Sequence, residues 1–370
     1  MANIIDYIKW RGDVTFEYDS FNAVDSLILS ELAYIPFEDF IDDNDKGESL
    51  SHISKSFFSG ADEYFKMGAI LPDKEIKELF KLASLSKRFK NIKIKNYVNH
   101  ISKKEEKQFC AMCFQIDRST SCIAFRGTDD TLVGWKENFN MSFNTPIPAQ
   151  KDAVEYVNKY GYKIKYLYIC GHSKGGNLAS YAALLADQKI KNRIIEVHNF
   201  DGPGFREDFL KNIDDKDIKE KTIKFLPQSS VIGMIYNPVG KCVYLSSIGK
   251  GVYQHNGFNW QVMGNKLITV PKLDKSAIEA HDLIDKWTKS MSNEERIEFV
   301  EALYKLITVN DTATLSDIAS DKYKFILGVL KSDGKTKKVF MSAINKLIKE
   351  KYLKKTDRNQ KITYNDESHD

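Results

Sequence analysis

The sequence predicts an α/β fold, a mostly parallel sheet with helices on both faces, and three observations carry that reading. Strand-like and helix-like patterns alternate from about residue 109 to residue 200. A G-x-S-x-G run, Gly171 to Gly175, stands where one predicted strand meets the next helix. Beyond Pro271 the β signal stops and helical spacing takes over, so a helical extension is expected to follow the sheet.

The elements follow in chain order. Phe21, Val24, Ile28, Leu32 and Ile35 recur at three- and four-residue spacing behind Asp19 and Ser20, which predicts a capped helix with one buried face. Residues 41–105, rich in Lys, Ser and Asp, read as short helices and surface connections. The runs from Phe109 to Ile116 and from Ser121 to Arg126 flank Asp117 to Thr120, a hairpin pattern. A helix over Ala149 to Tyr160 should stop at Gly161 in the left-handed conformation. Tyr166 to Cys170 reads as a buried strand, Gly175 to Gln188 as a helix, and Arg193 to Phe200 as another strand. Shorter β-like runs follow at Thr222 to Leu226, Lys241 to Ser246 and Lys266 to Val270. Ser292 and Glu295 can form a capping box ahead of Ile297, Val300, Leu303 and Leu306, and helical spacing continues to about Leu353. The expected organisation is a body over residues 1–270, with a helical lead-in over 1–105, and a helical extension over 271–370 that is basic at 331–361.

Composition excludes several classes. Apolar residues make up 42% of the 370 and charged residues 29%, a balance unlike that of disordered chains. The net charge of +4 is too weak to imply a nucleic-acid partner. Residues 331–370 hold 11 basic and 6 acidic side chains, so the rest of the chain is near neutral. That terminal stretch, with Lys346, Lys349, Lys351, Lys354 and Lys355, reads as a solvated face or a weak contact with an anionic membrane. Met1 to Val14 lacks the apolar core of a signal peptide, and the longest apolar runs fall far short of a bilayer span. Five cysteines, an odd number, argue against a disulfide framework, and a reducing cytoplasm is the expected location. Cys110-x-x-Cys113 lacks a second ligand pair, and strand alternation would send its thiols to opposite faces, so neither a metal nor an organic cofactor is expected. Arg11-Gly12-Asp13 spells an adhesion tripeptide by coincidence.

The chemistry centres on Gly171-His172-Ser173-Lys174-Gly175-Gly176. A strand running into a helix through this sequence lifts Ser173 above the sheet on a sharp turn, while Gly171, Gly175 and Gly176 let the two backbones pass closely. The helix N-terminus beneath the serine favours the oxyanion of acyl transfer, with the Lys174 N–H as one donor. A serine hydroxyl needs a base, and the order nucleophile, acid, histidine leaves His198, His255 and His281 among the seven histidines. His198 lies inside an apolar strand and His281 in the helical extension, so His255, in a loop after the last sheet-like runs, is the expected base. No Asp or Glu occurs from Lys221 to Gln254. Asp201, at the carboxyl end of the strand after the elbow helix, is therefore the best-placed acid, its other reading being a cap on the Gly202-Pro203 turn. Arg126-Gly127-Thr128 ends an earlier strand, where Thr128 can supply the second oxyanion donor.

Ala124-Phe125-Arg126-Gly127-Thr128, then Trp135 and Asn138, then the Gly-His-Ser-Lys-Gly-Gly elbow, resemble class 3 lipases of the α/β-hydrolase fold. A fuller pattern is similar to a bacterial family of uncharacterised lipase-like proteins over roughly residues 5–265: Trp10 to Asp13, Phe21 to Asp25, Asn199 to Gly204, and Gln254-His255 with Trp260. The resemblance implies Ser173 as nucleophile, His255 as base, and Thr128 with Lys174 as the oxyanion hole. It also implies an α/β-hydrolase fold flanked by the helical lead-in and extension. Class 3 lipases carry the acid in the stretch that matches Leu226 to Ile232, where this sequence has Ser229 and Ser230 and no carboxylate. Either Asp201 takes the role from the preceding strand or the triad is incomplete. The expected activity is hydrolysis of acyl esters, lipid or small; a thioesterase or a weakly active binding protein on the same fold is the rival. The charged stretch Arg206 to Lys224 reads as a solvated helix or a cap over the site.

Overall fold

In the computed structural model, which describes residues 1–41, 46–59, 73–129, 132–141, 145–213, 215–308 and 329–366, eight strands form one sheet in chain order. They are β1 (Glu48–Ser49), β2 (Lys93–Ser102), β3 (Lys107–Gln115), β4 (Thr120–Phe125), β5 (Tyr166–His172), β6 (Ile194–Phe200), β7 (Thr222–Pro227) and β8 (Lys241–Leu245). Strands β1 to β4 pair antiparallel and β4 to β8 parallel, the α/β-hydrolase arrangement. A small hairpin of β9 (Val262–Met263) and β10 (Lys266–Leu267) replaces the predicted strand over 266–270.

Strand alternation sorts the interior into two layers. Cys110, Met112, Phe114, Cys122, Ala124 and Cys170 face the lead-in helices α1 (Ile4–Arg11), α2 (Ala23–Leu32), α3 (Leu50–Ser59) and α4 (Asp73–Leu85). Phe109, Ala111, Cys113, Ile123, Phe125 and Ile169 face the crossover helices α6 (Pro148–Gly161), α7 (Lys174–Leu185), α8 (Gln188–Lys191) and α10 (Lys216–Lys221). The other connecting helices are α5 (Leu132–Asn140) and α9 (Glu207–Lys211). The lead-in is thus one full face of the sheet. Cys110 and Cys113 fall in opposite layers, and among the described residues no acidic, His or Cys cluster is suited to a metal.

Three expectations need correction. Residues 93–102 form a strand, β2, although Lys and Asn interrupt its apolar pattern; its pairing with β3 along nearly its whole length supplies what the sequence pattern lacks. Asn22, rather than Asp19 or Ser20, caps α2, in a reciprocal capping box with Asp25. Gly161 lies inside α6 with no left-handed stop; a Cβ there would come within 3.1 Å of Ile190, so its role is space.

The extension comprises α11 (Lys275–Lys289), α12 (Asn293–Thr308) and α13 (Gly334–Asp366); the helix expected through 309–328 lies outside the described residues. Ser292 and Glu295 cap α12 reciprocally, at 2.9 and 3.2 Å. Lys136 on α5 reaches Glu301 on α12 at 2.8 Å, and Lys346 reaches both carboxylate oxygens of Glu295, so part of the terminal basic charge is paired within the chain. The side chains of Lys354 and Lys355 lie outside the described residues. No described helix is long and apolar enough to cross a membrane.

α2 is anchored by a fully buried ion pair. Arg88 donates to Asp25 through Nε at 2.8 Å and to three backbone carbonyls, while Tyr7 donates to the same carboxylate at 2.9 Å. Removing one partner strands a buried charge. Arg88→Met is expected to cost about 3–5 kcal/mol in urea unfolding, and the double variant with Asp25→Asn to recover part of that loss. Equal destabilisation by the single and double variants would refute the coupling.

Candidate active site

Ser173 stands between β5 and α7 at φ 58° and ψ −130°, a conformation that a non-glycine residue holds only under constraint from its surroundings. Its N–H donates to Phe200 O on β6 at 2.9 Å and its carbonyl accepts from Gly176 N at 2.9 Å. The glycines around it serve close approach. A Cβ at Gly171 would lie 2.3 Å from Gly175, one at Gly175 2.0 Å from Phe125 O, and one at Gly176 2.5 Å from Asn199 Oδ1. The sequence therefore makes the elbow by deleting side chains where strand, helix and neighbouring strand meet.

The Lys174 side chain turns away from the serine. Its buried ammonium donates to Gln108 O and Oε1, both at 2.6 Å, and to Glu137 Oε2 at 2.9 Å, tying α7 to β3 and α5. Its backbone N–H lies in the first turn of α7, where an N–H has no carbonyl partner within the helix. The loop after β4 abuts the elbow: a Cβ on Gly127 would fall 2.6 Å from His172 O and 3.1 Å from Ser173 Cβ. Thr128 follows, its hydroxyl oxygen accepting from Asn138 Nδ2 at 2.5 Å, which leaves the hydroxyl proton as a donor. The Trp135 side chain lies outside the described residues.

His255 ends a one-turn helical segment, Gly251–His255, and its Nδ1 pairs with Asp201 Oδ2 at 2.7 Å. With Nδ1–H donating to the carboxylate, Nε2 carries the lone pair. Asp201 is fully buried at the end of β6 with φ 51°, and its other oxygen accepts from Ser230 Oγ. Ser230 belongs to the Leu226 to Ile232 stretch that lacks an acid. A serine there donates to a carboxylate delivered from the neighbouring strand. The two other candidate bases are elsewhere: His198 is buried in β6 with Nε2 on Glu196 at 3.0 Å, and His281 is on α11.

Three further residues went unsuspected in the sequence. His172 packs its ring 4.6 Å from that of His255, and its Nε2 donates to the His255 carbonyl at 2.7 Å. That bond fixes the tautomer, so Nδ1 accepts from Tyr34 Oη at 3.2 Å. Burial, with His255 adding to it, holds His172 well below the usual imidazole range, so it stays neutral. Glu31, on α2, lies 3.7 Å from His172 Nδ1 with both carboxyl oxygens buried and without hydrogen-bond partners. Burial pushes its carboxyl up to about 8. Helix period and apolar character predicted only a packing face for α2, and a buried acid gives no sequence signal.

A cavity of about 180 Å³ opens beside Ser173. Its walls come from the loop after β7 (Ile232, Ile235) and from α11 and α12 (Ile284, Trp287, Phe299, Val300). None of the described residues of 206–224 lines it; they fold as α9, α10 and the start of β7, and α10 buries Ile218 in the crossover layer.

The Glu31 environment sets a pH dependence. A carboxyl near 8 in the folded chain and near 4.5 when exposed keeps a proton on folding that the unfolded chain has lost, so stability falls as pH rises through that window. Glu31→Gln removes this titration. Its melting temperature relative to the native chain should climb from pH 5 to pH 9; parallel curves would refute a buried protonated Glu31.

A family model described as Mbeg1-like matches residues 83–305, more than half of the chain. A solved structure titled "Crystal structure of M37 lipase" is similar at 17% identity over 57% of this chain and 69% of that one, with a TM-score of 0.32. No curated protein matches. The β4 loop, the elbow, Asp201 and His255 all fall within the matched residues, and the chain belongs to the Mbeg1-like family.

Proposed function

We propose that the protein is a serine hydrolase that cleaves acyl esters through a covalent acyl-enzyme. The observation that carries this reading is a histidine bonded at 2.7 Å to a buried carboxylate at the end of β6, beside the end of β5 that carries the strained serine elbow. Ser173 Oγ attacks the ester carbonyl while His255 Nε2 takes its proton, and Asp201 stabilises the imidazolium. The Lys174 N–H and Thr128 hold the oxyanion. Collapse of the intermediate breaks the bond to the alcohol oxygen, which leaves with the proton from His255. Water then attacks the acyl-serine with His255 again as base, releasing the acid and restoring Ser173. None of these steps draws on a metal or an organic cofactor.

A binding protein without turnover was the rival because no acid follows residue 220 before His255. Asp201, bonded to both His255 and Ser230, supports catalysis over that rival. Five free thiols, with Cys122 and Cys170 Sγ only 3.4 Å apart, support a reducing compartment, the cytoplasm, as the place of work.

A fluorophosphonate probe should label the intact chain and leave Ser173→Ala unlabelled; no labelling of the intact chain, or equal labelling of both, would sink the hydrolase reading. Asp201→Asn should keep the fold by circular dichroism yet lower kcat for 4-nitrophenyl acetate by up to about 10⁴. A loss of less than tenfold would show that Asp201 is not the orienting acid.

A further inference from the structure

The cavity beside Ser173 is walled on one side by helices that follow the sheet in the chain. Ile284 and Trp287 come from α11, and Phe299 and Val300 from α12. Opposite them stand Ile232 and Ile235 from the loop after β7. This wall is fixed to the body independently of the cavity. Lys136 bonds Glu301 at 2.8 Å and sits over the Tyr304 ring at 4.7 Å, while the Asp274 N–H, just before α11, donates to Gln228 O at 2.7 Å. Trp287 is locked in turn, its indole N–H donating to Ala343 O at 2.8 Å and its ring meeting that of Phe299 edge-on.

Resting on the serine-hydrolase reading, we propose that this chamber is the acyl-binding subsite and that α11 and α12 limit it to acyl groups of about six to eight carbons. An apolar cavity of about 150 Å³ takes up one benzene, six carbons, and stays dry when empty. A chamber of about 180 Å³ has room for one or two carbons more. The wall chemistry points the same way. Isoleucine, tryptophan, phenylalanine and valine gain free energy from each methylene removed from water, about 0.8 kcal/mol, while polar side chains at the same lining, Asn138, Thr288 and Arg296, bond to Thr128 Oγ1, Ile284 O and Thr288 O. A chain much longer than the chamber would have to run out of its apolar lining into solvent or displace helices held by the Lys136, Asp274 and Trp287 contacts. The extension therefore acts as a ruler and not only as a cover.

The test uses the full chain with 4-nitrophenyl esters from acetate to palmitate. Expected is a kcat/KM that rises from acetate to hexanoate or octanoate and falls at least tenfold by dodecanoate. Ile284→Trp, which fills the chamber, should lower the hexanoate-to-acetate ratio of kcat/KM tenfold or more, and Ile284→Ala should move the optimum to a longer chain. A flat profile, a rise continuing to palmitate, or ratios unchanged in both variants would overturn the proposal. Fluorophosphonate labelling separates the two readings: a labelled Ser173 with a flat profile removes the chain-length ruler alone, while an unlabelled Ser173 removes both.

Discussion

The backbone at Ser173 is the constraint on which the rest of the architecture depends. Holding a serine at φ 58° and ψ −130° costs about 1–3 kcal/mol, and the turn survives only because its surroundings leave no alternative. Gly171 and Gly175 let α7 lie against the end of β5, and Gly175 also passes within contact of Phe125 O on β4. Lys174, the first residue of α7, is drawn the other way by Gln108 and Glu137. Glu137 in turn accepts from the backbone N–H groups of Gln108 and Ala149, at 3.0 Å each. One buried ion pair thus fixes the elbow helix against β3, α5 and the start of α6. The lysine that follows Ser173 works as a brace, its side chain turned away from the serine.

Helix α2 supplies the second support, from the opposite face of the sheet. Tyr34, two residues beyond its end, touches both the Gly127 loop and His172, and His172 holds the carbonyl of His255. Glu31 lies against His172 and against Gly257, two residues past His255; a Cβ at Gly257 would come within 2.5 Å of its carboxyl. The loop after β4, the elbow and the His255 loop therefore rest on one helix, and that helix is pinned by Arg88 through Asp25. This explains why the Phe21 to Asp25 stretch carried part of the family resemblance although it lies far from the serine: Asn22 and Asp25 cap α2, and Asp25 anchors it. A protonated Glu31 suits such a place, since a charge there would face only a neutral imidazole.

Much of the fold could be read from the residues because local and global signals agreed. The hairpin at Asp117 to Thr120, the alternation from β4 to β7, the elbow and the Ser292–Glu295 cap each carry a pattern of a few residues that tertiary contacts reinforce. Where the pattern was weak, tertiary contacts decided. β2 exists because β3 pairs with it, although Lys93, Lys95 and Asn96 read as surface. The charged 206–224 stretch, which leaves the sheet beside Asp201, reads from its position as a cap or a solvated helix, whereas the helices beside the cavity come from 284–300, more than a hundred residues after Ser173. Spacing along the chain holds no record of such a return. The pairing of His255 with Asp201 joins positions 54 residues apart, and chain order with the absence of other acids narrowed the candidates to it; Glu31 and Tyr34, from the first tenth of the chain, had no such logic to reveal them.

The extension also changes the meaning of the chain's charge. Most of the basic excess lies after residue 330, as expected of a solvated tail, yet Lys346 is spent on Glu295, the residue whose carboxylate also caps α12. Glu295 and the chamber-lining Phe299 and Val300 are one turn apart on the same helix, and Phe340 of α13 stacks on Phe299 at 6.0 Å. The basic helix is therefore joined by an ion pair and an aromatic contact to the wall of the cavity beside Ser173. An exposed ion pair is worth at most about 1 kcal/mol, so the aromatic packing of Trp287, Phe299 and Phe340 is the stronger part of that join. The basic tail is thus, through α12, packed against the lining of the cavity beside Ser173.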